Sequence, residues 1–120
     1  AEIYRQVEQI PDVLESLAVG QRWQGDERVV LFVRLREGRA LDDRLVELIR
    51  QRIREGASPR HVPAKIIAVP DLPRTLSGKL VELAVKRTIH DEPVDNLGAL
   101  ANPESLALFR HHPALAGQDA

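Results

Sequence analysis

Lys79 stands directly behind Ser77 and Gly78, inside the turn-forming run Asp71-Leu72-Pro73-Arg74-Thr75-Leu76-Ser77-Gly78-Lys79 and at the mouth of a helical pattern. These residue types suit an ammonium group that meets an anion. Gly78 can take a positive φ and leaves room for a ligand. Ser77 offers a hydroxyl, and Pro73 narrows the conformations of the turn. Lysine is a compact cation on a long flexible stem, able to reach a phosphate or a developing oxyanion. A charge-assisted hydrogen bond of that kind contributes about 1.5–3 kcal/mol. A nucleotide-binding P-loop is excluded, because it needs glycine five residues before the second glycine and Ser or Thr after the lysine. This chain has Pro73 and Leu80 at those places. On these residues alone, an exposed turn with a solvated lysine stays open as the alternative.

The neighbouring side chains carry weaker signals. Arg74 could steady a phosphate or a contact with another domain, or it could simply lie on the surface. Thr75 and Ser77 are expected to hydrogen-bond within the loop and hold its shape. Lys65 and Lys86 are expected to face solvent, and Tyr4 and Trp23 to pack against a sheet. His61 reads as a surface or loop-capping histidine. His111 and His112 are adjacent, the wrong arrangement for a preformed metal site. With no cysteine in the chain, disulfides and thiolate metal sites are excluded, and no metal ligand is assigned.

The elements that must position Lys79 follow from periodicity. Ile3, Val7 and Ile10 predict a first helix that Pro11 stops. Residues 13–20 read as a strand closed by Gly20, Gln24-Gly25-Asp26 as a turn, and residues 28–35 as a second strand. The near-continuous apolar run of that second strand predicts burial on both faces. Leu41, Leu45, Leu48, Ile49 and Ile53 fall at helical spacing. Asp42 and Asp43 at the start and Arg52 and Arg54 at the end of that helix suit its dipole. A loop over residues 58–63 precedes a short third strand over 65–69. Leu80, Leu83, Ala84 and Ile89 mark a third helix, followed by a connector over residues 93–96. Asn102-Pro103 signals the cap and first turn of a short helix over residues 103–110, and a frayed tail is expected from His111. The order α-β-β-α-β-α plus a short C-terminal helix gives an α+β fold. The expected architecture is a two-layer sandwich with a small three-stranded mixed sheet and flanking helices. The second and third strands bracket a helical crossover and should be parallel, with the first strand between them as one possible order.

The chain's 120 residues suit one domain. Its 17 basic and 18 acidic residues leave a net charge of −1, which speaks against nucleic-acid binding. Basic and acidic residues alternate from Arg50 to Glu55, as on a solvated helix face. No apolar run approaches the ~20 residues of a membrane span, and no signal-peptide pattern opens the chain. Neither nucleic acid nor membrane is expected as a partner, and a cytoplasmic setting is. The first helical pattern starts without a Met, a cap or a preceding turn, so the chain reads as a fragment.

Pro73-Arg74-Thr75-Leu76-Ser77-Gly78-Lys79 resembles the C-terminal Pro-x-Thr-x-Ser-Gly-Lys motif of adenylate-forming enzymes: acyl-CoA synthetases, luciferases and peptide-synthetase adenylation domains. Ala1-Glu2-Ile3 resembles the segment just after that family's interdomain hinge. Residues 83–90 and 96–109, including Ala99-Leu100-Ala101-Asn102-Pro103-Glu104, are similar to the C-terminus of acetoacetyl-CoA synthetases. The resemblance spans about residues 1–110. It implies a small C-terminal domain over residues 1–92 and a C-terminal extension over 93–120. It also implies that Lys79 enters the active site when carboxylate and ATP give acyl-adenylate and pyrophosphate, and is withdrawn by domain rotation before CoA reacts. Arg60 becomes a possible contact for CoA phosphates. Mg²⁺ would be held by ATP and by the protein's own N-terminal adenylation domain, without which this domain should be inactive. A lysine acetyltransferase and a deacetylase are implied regulators of Lys79. Two alternatives stand beside this reading: another short-chain acyl-CoA synthetase, or a non-catalytic α+β interaction module.

Overall fold

A computed structural model describes residues 2–95 and 97–115. Asn96 in the expected connector, Ala1 of the hinge-like segment and the tail residues 116–120 lie outside the described residues. The chain forms helix α1 (Glu2–Val7), strands β1 (Val13–Trp23) and β2 (Asp26–Leu35), helix α2 (Asp43–Gly56), strand β3 (Lys65–Ala68) and helix α3 (Glu82–Ile89). Short 3-10 turns occupy Pro59–His61, Leu97–Ala99, Pro103–Leu108 and Pro113–Leu115.

β1 and β2 make the expected antiparallel hairpin, and β2 pairs with β3 in parallel. The sheet order is β1-β2-β3, so β2 and not β1 is the middle strand. Its sequence explains why: Val30, Leu31, Phe32 and Val33 are all fully buried, and such a run is stable only where both faces and both edges are covered. β1 also outlasts its expected end at Gly20, which pairs with Val29 inside the ladder. The chain reverses at Gln24 (φ 51°) and Gly25 (φ 80°) between the paired residues Trp23 and Asp26. Two positive φ values match the two-residue turns whose twist suits a hairpin.

The side chains of β2 alternate between two apolar clusters. Leu31 and Val33 pack with Val7, Ile10, Leu45, Ile49 and Ile53, placing α1 and α2 on one face. Val30 and Phe32 pack with Leu17, Val85, Phe109 and Leu115 on the other. The flanking helices thus divide between the two faces, and the expected two-layer sandwich gains a third layer. α1 ends at Val7, earlier than expected, although Ile10 is still buried. Asp42 caps α2, accepting a hydrogen bond from the Leu45 backbone N–H at 2.9 Å.

The C-terminal segment is more integrated than its sequence indicates. The Phe109 ring meets Phe32 edge-on, with centroids 4.8 Å apart and planes at 88°. The expected frayed tail from His111 instead includes an ordered turn that buries Leu115. The Gln21 side chain donates to the Leu115 carbonyl at 3.3 Å.

Candidate functional site

β3 leads out of the sheet into the lysine loop. The Val69 N–H still donates to the Val33 carbonyl at 2.9 Å, and Leu72 is fully buried two residues before Arg74. Beyond Leu72 the chain forms a small hairpin. Arg74 and Leu80 make an antiparallel bridge, and the Thr75 N–H donates to the Lys79 carbonyl at 2.8 Å. The tip closes with the Gly78 N–H on the Thr75 carbonyl at 2.9 Å, with Gly78 at φ 94°. That φ is the one the sequence reserves for glycine.

Thr75 and Ser77 hold this shape from inside. Their hydroxyls lie 2.9 Å apart, and Thr75 Oγ1 accepts from the Lys79 backbone N–H at 3.1 Å. The Lys79 side chain is exposed. Its ammonium has no hydrogen bond or ion pair among the described residues, so the charge is uncommitted. Leu76 beside it is 75% exposed and Leu83 58%. Leu83 belongs to the stripe that predicts α3, yet it faces outward beside the loop.

The base of the loop is tied down on three sides. Arg74 Nη1 and Nη2 donate to Glu15 Oε2 and Oε1 at 2.9 and 2.8 Å, and Arg34 Nε donates to the same carboxylate at 2.8 Å. Asp71 Oδ1 lies 3.5 Å from Arg74 Nη2. Burial pushes the Glu15 carboxyl up, but the hydrogen bonds from Arg74 and Arg34 outweigh it and hold Glu15 below its ordinary value. Hydrogen bonding to Glu15 raises the Arg74 guanidinium in turn. Arg74 is therefore not a free surface cation: its side chain is 25% exposed and ion-paired with a strand of the sheet.

Asn102 makes the second tie, and it corrects another expectation. Its side chain does not cap the following turn. Asn102 Oδ1 accepts from the Arg74 N–H at 2.9 Å, while Nδ2 donates to Asp71 Oδ2 at 2.9 Å and to the Leu72 carbonyl at 2.8 Å. The backbone of residues 99–101 lies alongside: the Leu76 N–H donates to the Ala99 carbonyl at 3.0 Å and the Ala101 N–H to the Arg74 carbonyl at 2.8 Å. The third tie starts from α1. Tyr4 OH accepts from the Ala18 N–H at 2.9 Å and donates to Glu82, the first residue of α3. Burial, reinforced by Glu82, pushes the Tyr4 phenol up, so it stays a neutral donor.

Other sequence candidates fall elsewhere. Arg60 is exposed in the turn Pro59–His61, which enters β3, whereas the lysine loop leaves it. His61 Nδ1 meets Ser58 Oγ at 2.7 Å within that turn. Lys86 is not simply solvent-facing, since it pairs with Glu27 at 3.2 Å. Trp23 stacks under Arg28 at 3.6 Å. No cluster of three or more His, Asp or Glu able to hold a metal occurs among the described residues, and none of their helices is long and apolar enough to cross a membrane.

Glu15 and Asn102 are absent from the sequence-derived site. A carboxylate inside the apolar run Val13-Leu14-Glu15-Ser16-Leu17 signals a need for a cation, but of its two arginine partners the one in the loop, Arg74, is 59 residues away.

The sequence signature of AMP-binding enzyme C-terminal domains matches residues 5–79, so its last matched position is Lys79. Over 109 residues, 91% of the chain, the sequence is 63% identical to an acetoacetyl-coenzyme A synthetase of Rhizobium meliloti. It is 46% identical over 116 residues to an acetoacetyl-CoA synthetase of Rattus norvegicus. The chain spans only 17% of the length of each of these relatives. An acetoacetyl-CoA synthetase structure from Streptomyces lividans superposes with a TM-score of 0.82 at 41% identity, covering 91% of this chain and 17% of that one. A Brucella canis acyl-CoA synthetase superposes at 0.66 with 28% identity, covering 72% and 16%.

Proposed function

The chain belongs to the AMP-binding enzyme C-terminal domains, and we propose that it is the lysine-bearing lid of an ATP-dependent acetoacetyl-CoA synthetase. In the first half-reaction an oxygen of the carboxylate attacks the α-phosphorus of ATP. A new P–O bond forms, the bond to the α–β bridging oxygen breaks, and pyrophosphate leaves. Lys79 contacts the attacking oxygen and the α-phosphate, stabilising charge that spreads over phosphorus-bound oxygens. In the second half-reaction the CoA thiol attacks the acyl carbon and AMP departs, with Lys79 withdrawn as the lid turns. The observation that carries this reading is the uncommitted Lys79 ammonium at the tip of a loop whose base is tied down.

ATP and CoA are the substrates, and most of their binding falls to the protein's N-terminal adenylation domain. Mg²⁺ rides on the ATP phosphates; no ligand for it is assigned to this chain. The choice of acetoacetate, and with it a role in lipid metabolism, rests on the two relatives and the Streptomyces lividans structure. Use of ATP and CoA fits a cytoplasmic enzyme. Residues 1–92 carry the lid and residues 93–120 its extension, while Arg60, in the turn that precedes β3, is a candidate CoA contact.

Lys79→Ala in the full-length protein should slow pyrophosphate exchange by on the order of 10²–10³, the loss of one preorganised charge donor. CoA transfer from supplied acyl-adenylate should be largely spared. Exchange at the unmodified rate would refute the assignment. Rates with acetoacetate set against acetate and propionate test the substrate, and preference for either of the latter moves the protein to another short-chain class. An exposed, unpaired amine is also open to a lysine acetyltransferase, with a deacetylase restoring it. Acetylation would remove the charge. Full exchange activity after complete Lys79 acetylation would overturn that control.

A further inference from the structure

We propose that Glu15 and Arg74 act as one positioning unit that fixes the Lys79 loop to the sheet for adenylation, so that Arg74 is a brace and not a phosphate ligand. The inference rests on Lys79 being the adenylation lysine. Arg74 forms two parallel hydrogen bonds to one carboxylate, at 2.9 and 2.8 Å. This fork geometry fixes orientation as well as charge. With Asp71 3.5 Å from Nη2, a phosphate would have to displace carboxylates already in place. The two side chains are only 25% and 22% exposed, so water and salt screen them incompletely.

The brace has a direct route to the lysine. Arg74 pairs across the hairpin with Leu80, the residue after Lys79. The Arg74 backbone is itself gripped by Asn102 Oδ1 and the Ala101 N–H. On the other side, Glu15 sits where the register of β1 on β2 shifts, between Val13 and Glu15. Irregularities of this kind redirect a strand side chain. Arg34, on the neighbouring strand, donates to Glu15 Oε1 at 2.8 Å and fixes the carboxylate's rotation. The backbone from the sheet to Leu80 is therefore tied by hydrogen bonds and ion pairs, while the Lys79 ammonium has no partner among the described residues.

The test uses the full-length enzyme with Glu15→Gln, Arg74→Gln, the double variant and Arg74→Lys. Pyrophosphate exchange gives kcat and KM for ATP, and CoA transfer from supplied acyl-adenylate is measured separately. A small displacement of the lysine predicts a loss of roughly 10–100-fold in the exchange kcat for both single variants. KM for ATP and the CoA-transfer rate should be unchanged. The double variant should be no worse than the weaker single, as expected for residues acting as a unit. Arg74→Lys should stay impaired, since an ammonium cannot reproduce the fork. Wild-type exchange by Glu15→Gln overturns the proposal. So does a rise in KM for ATP confined to the Arg74 variants, which would make Arg74 a phosphate ligand. Equal loss in both half-reactions also overturns it, by reducing the pair to general scaffolding. If Glu15→Gln fails to fold by thermal melting, Arg74→Lys decides by the same criteria. Lys79→Ala run in parallel separates the two levels. Normal exchange in that variant sinks the functional reading, whereas its failure beside a normal Glu15→Gln sinks only the brace.

Discussion

Gly78→Ala isolates the backbone requirement of the lysine loop from its packing. A Cβ at position 78 would meet nothing within 4 Å, so no steric clash contributes. The cost comes from the φ of 94°, where an L-residue is penalised by about 1–2 kcal/mol. The tip is exposed, and it relaxes locally instead of unfolding the domain. Relaxation gives up the Gly78 N–H bond to the Thr75 carbonyl at 2.9 Å and the Lys79 N–H bond to Thr75 Oγ1 at 3.1 Å. At 1.36 kcal/mol per factor of ten, the population holding Lys79 correctly falls by ~5–30-fold. In the full-length enzyme, pyrophosphate exchange should drop by that factor while the melting temperature barely moves. Gly78→Asn is the internal control, because asparagine tolerates a positive φ better than alanine; it should lose less. Wild-type exchange in Gly78→Ala, or an asparagine variant as impaired as alanine, would refute the reasoning.

Two further outcomes follow from the core and from the braced carboxylate. Phe109→Ala removes a fully buried ring packed edge-on against Phe32 and should cost about 3–5 kcal/mol in denaturant unfolding; a loss near zero would mean that the C-terminal segment is not part of the core. Glu15 is held below its ordinary value because Arg74 and Arg34 outweigh the effect of burial. Its stabilising contribution is therefore complete above the unfolded carboxylate pKa and disappears as pH falls through the lowered folded value. Stability attributable to the pair should be flat from neutral pH to about 5 and decline below about pH 4. Asp71, lowered by its Asn102, Leu72 and Arg74 contacts against the opposing effect of burial, adds in the same direction. Urea unfolding against pH should show the decline, blunted in Glu15→Gln; an identical profile in that variant would remove Glu15 from the account.

The sequence by itself determined most of the elements and the conformation of the loop tip. β2 was legible as a doubly buried strand because Val29 to Val33 is apolar without alternation, and α2 because Leu45, Ile49 and Ile53 repeat at helical spacing. The Gly78 turn and the exposed Lys79 were legible because local residue types restrict φ and solvation directly. Strand order, which helices cover which face, the burial of Leu115 and the ion pairing of Arg74 were decided only by tertiary structure. Each depends on groups far apart in the chain: Glu15 and Arg74 are 59 residues apart, and Gln21 reaches Leu115 across 94. Asn102 shows the limit most directly. Its local signal was a helix cap, but its amide found better partners in residues 71, 72 and 74. Local patterns record what a segment needs for its own conformation; which distant carboxylate meets which guanidinium is fixed only when the chain closes.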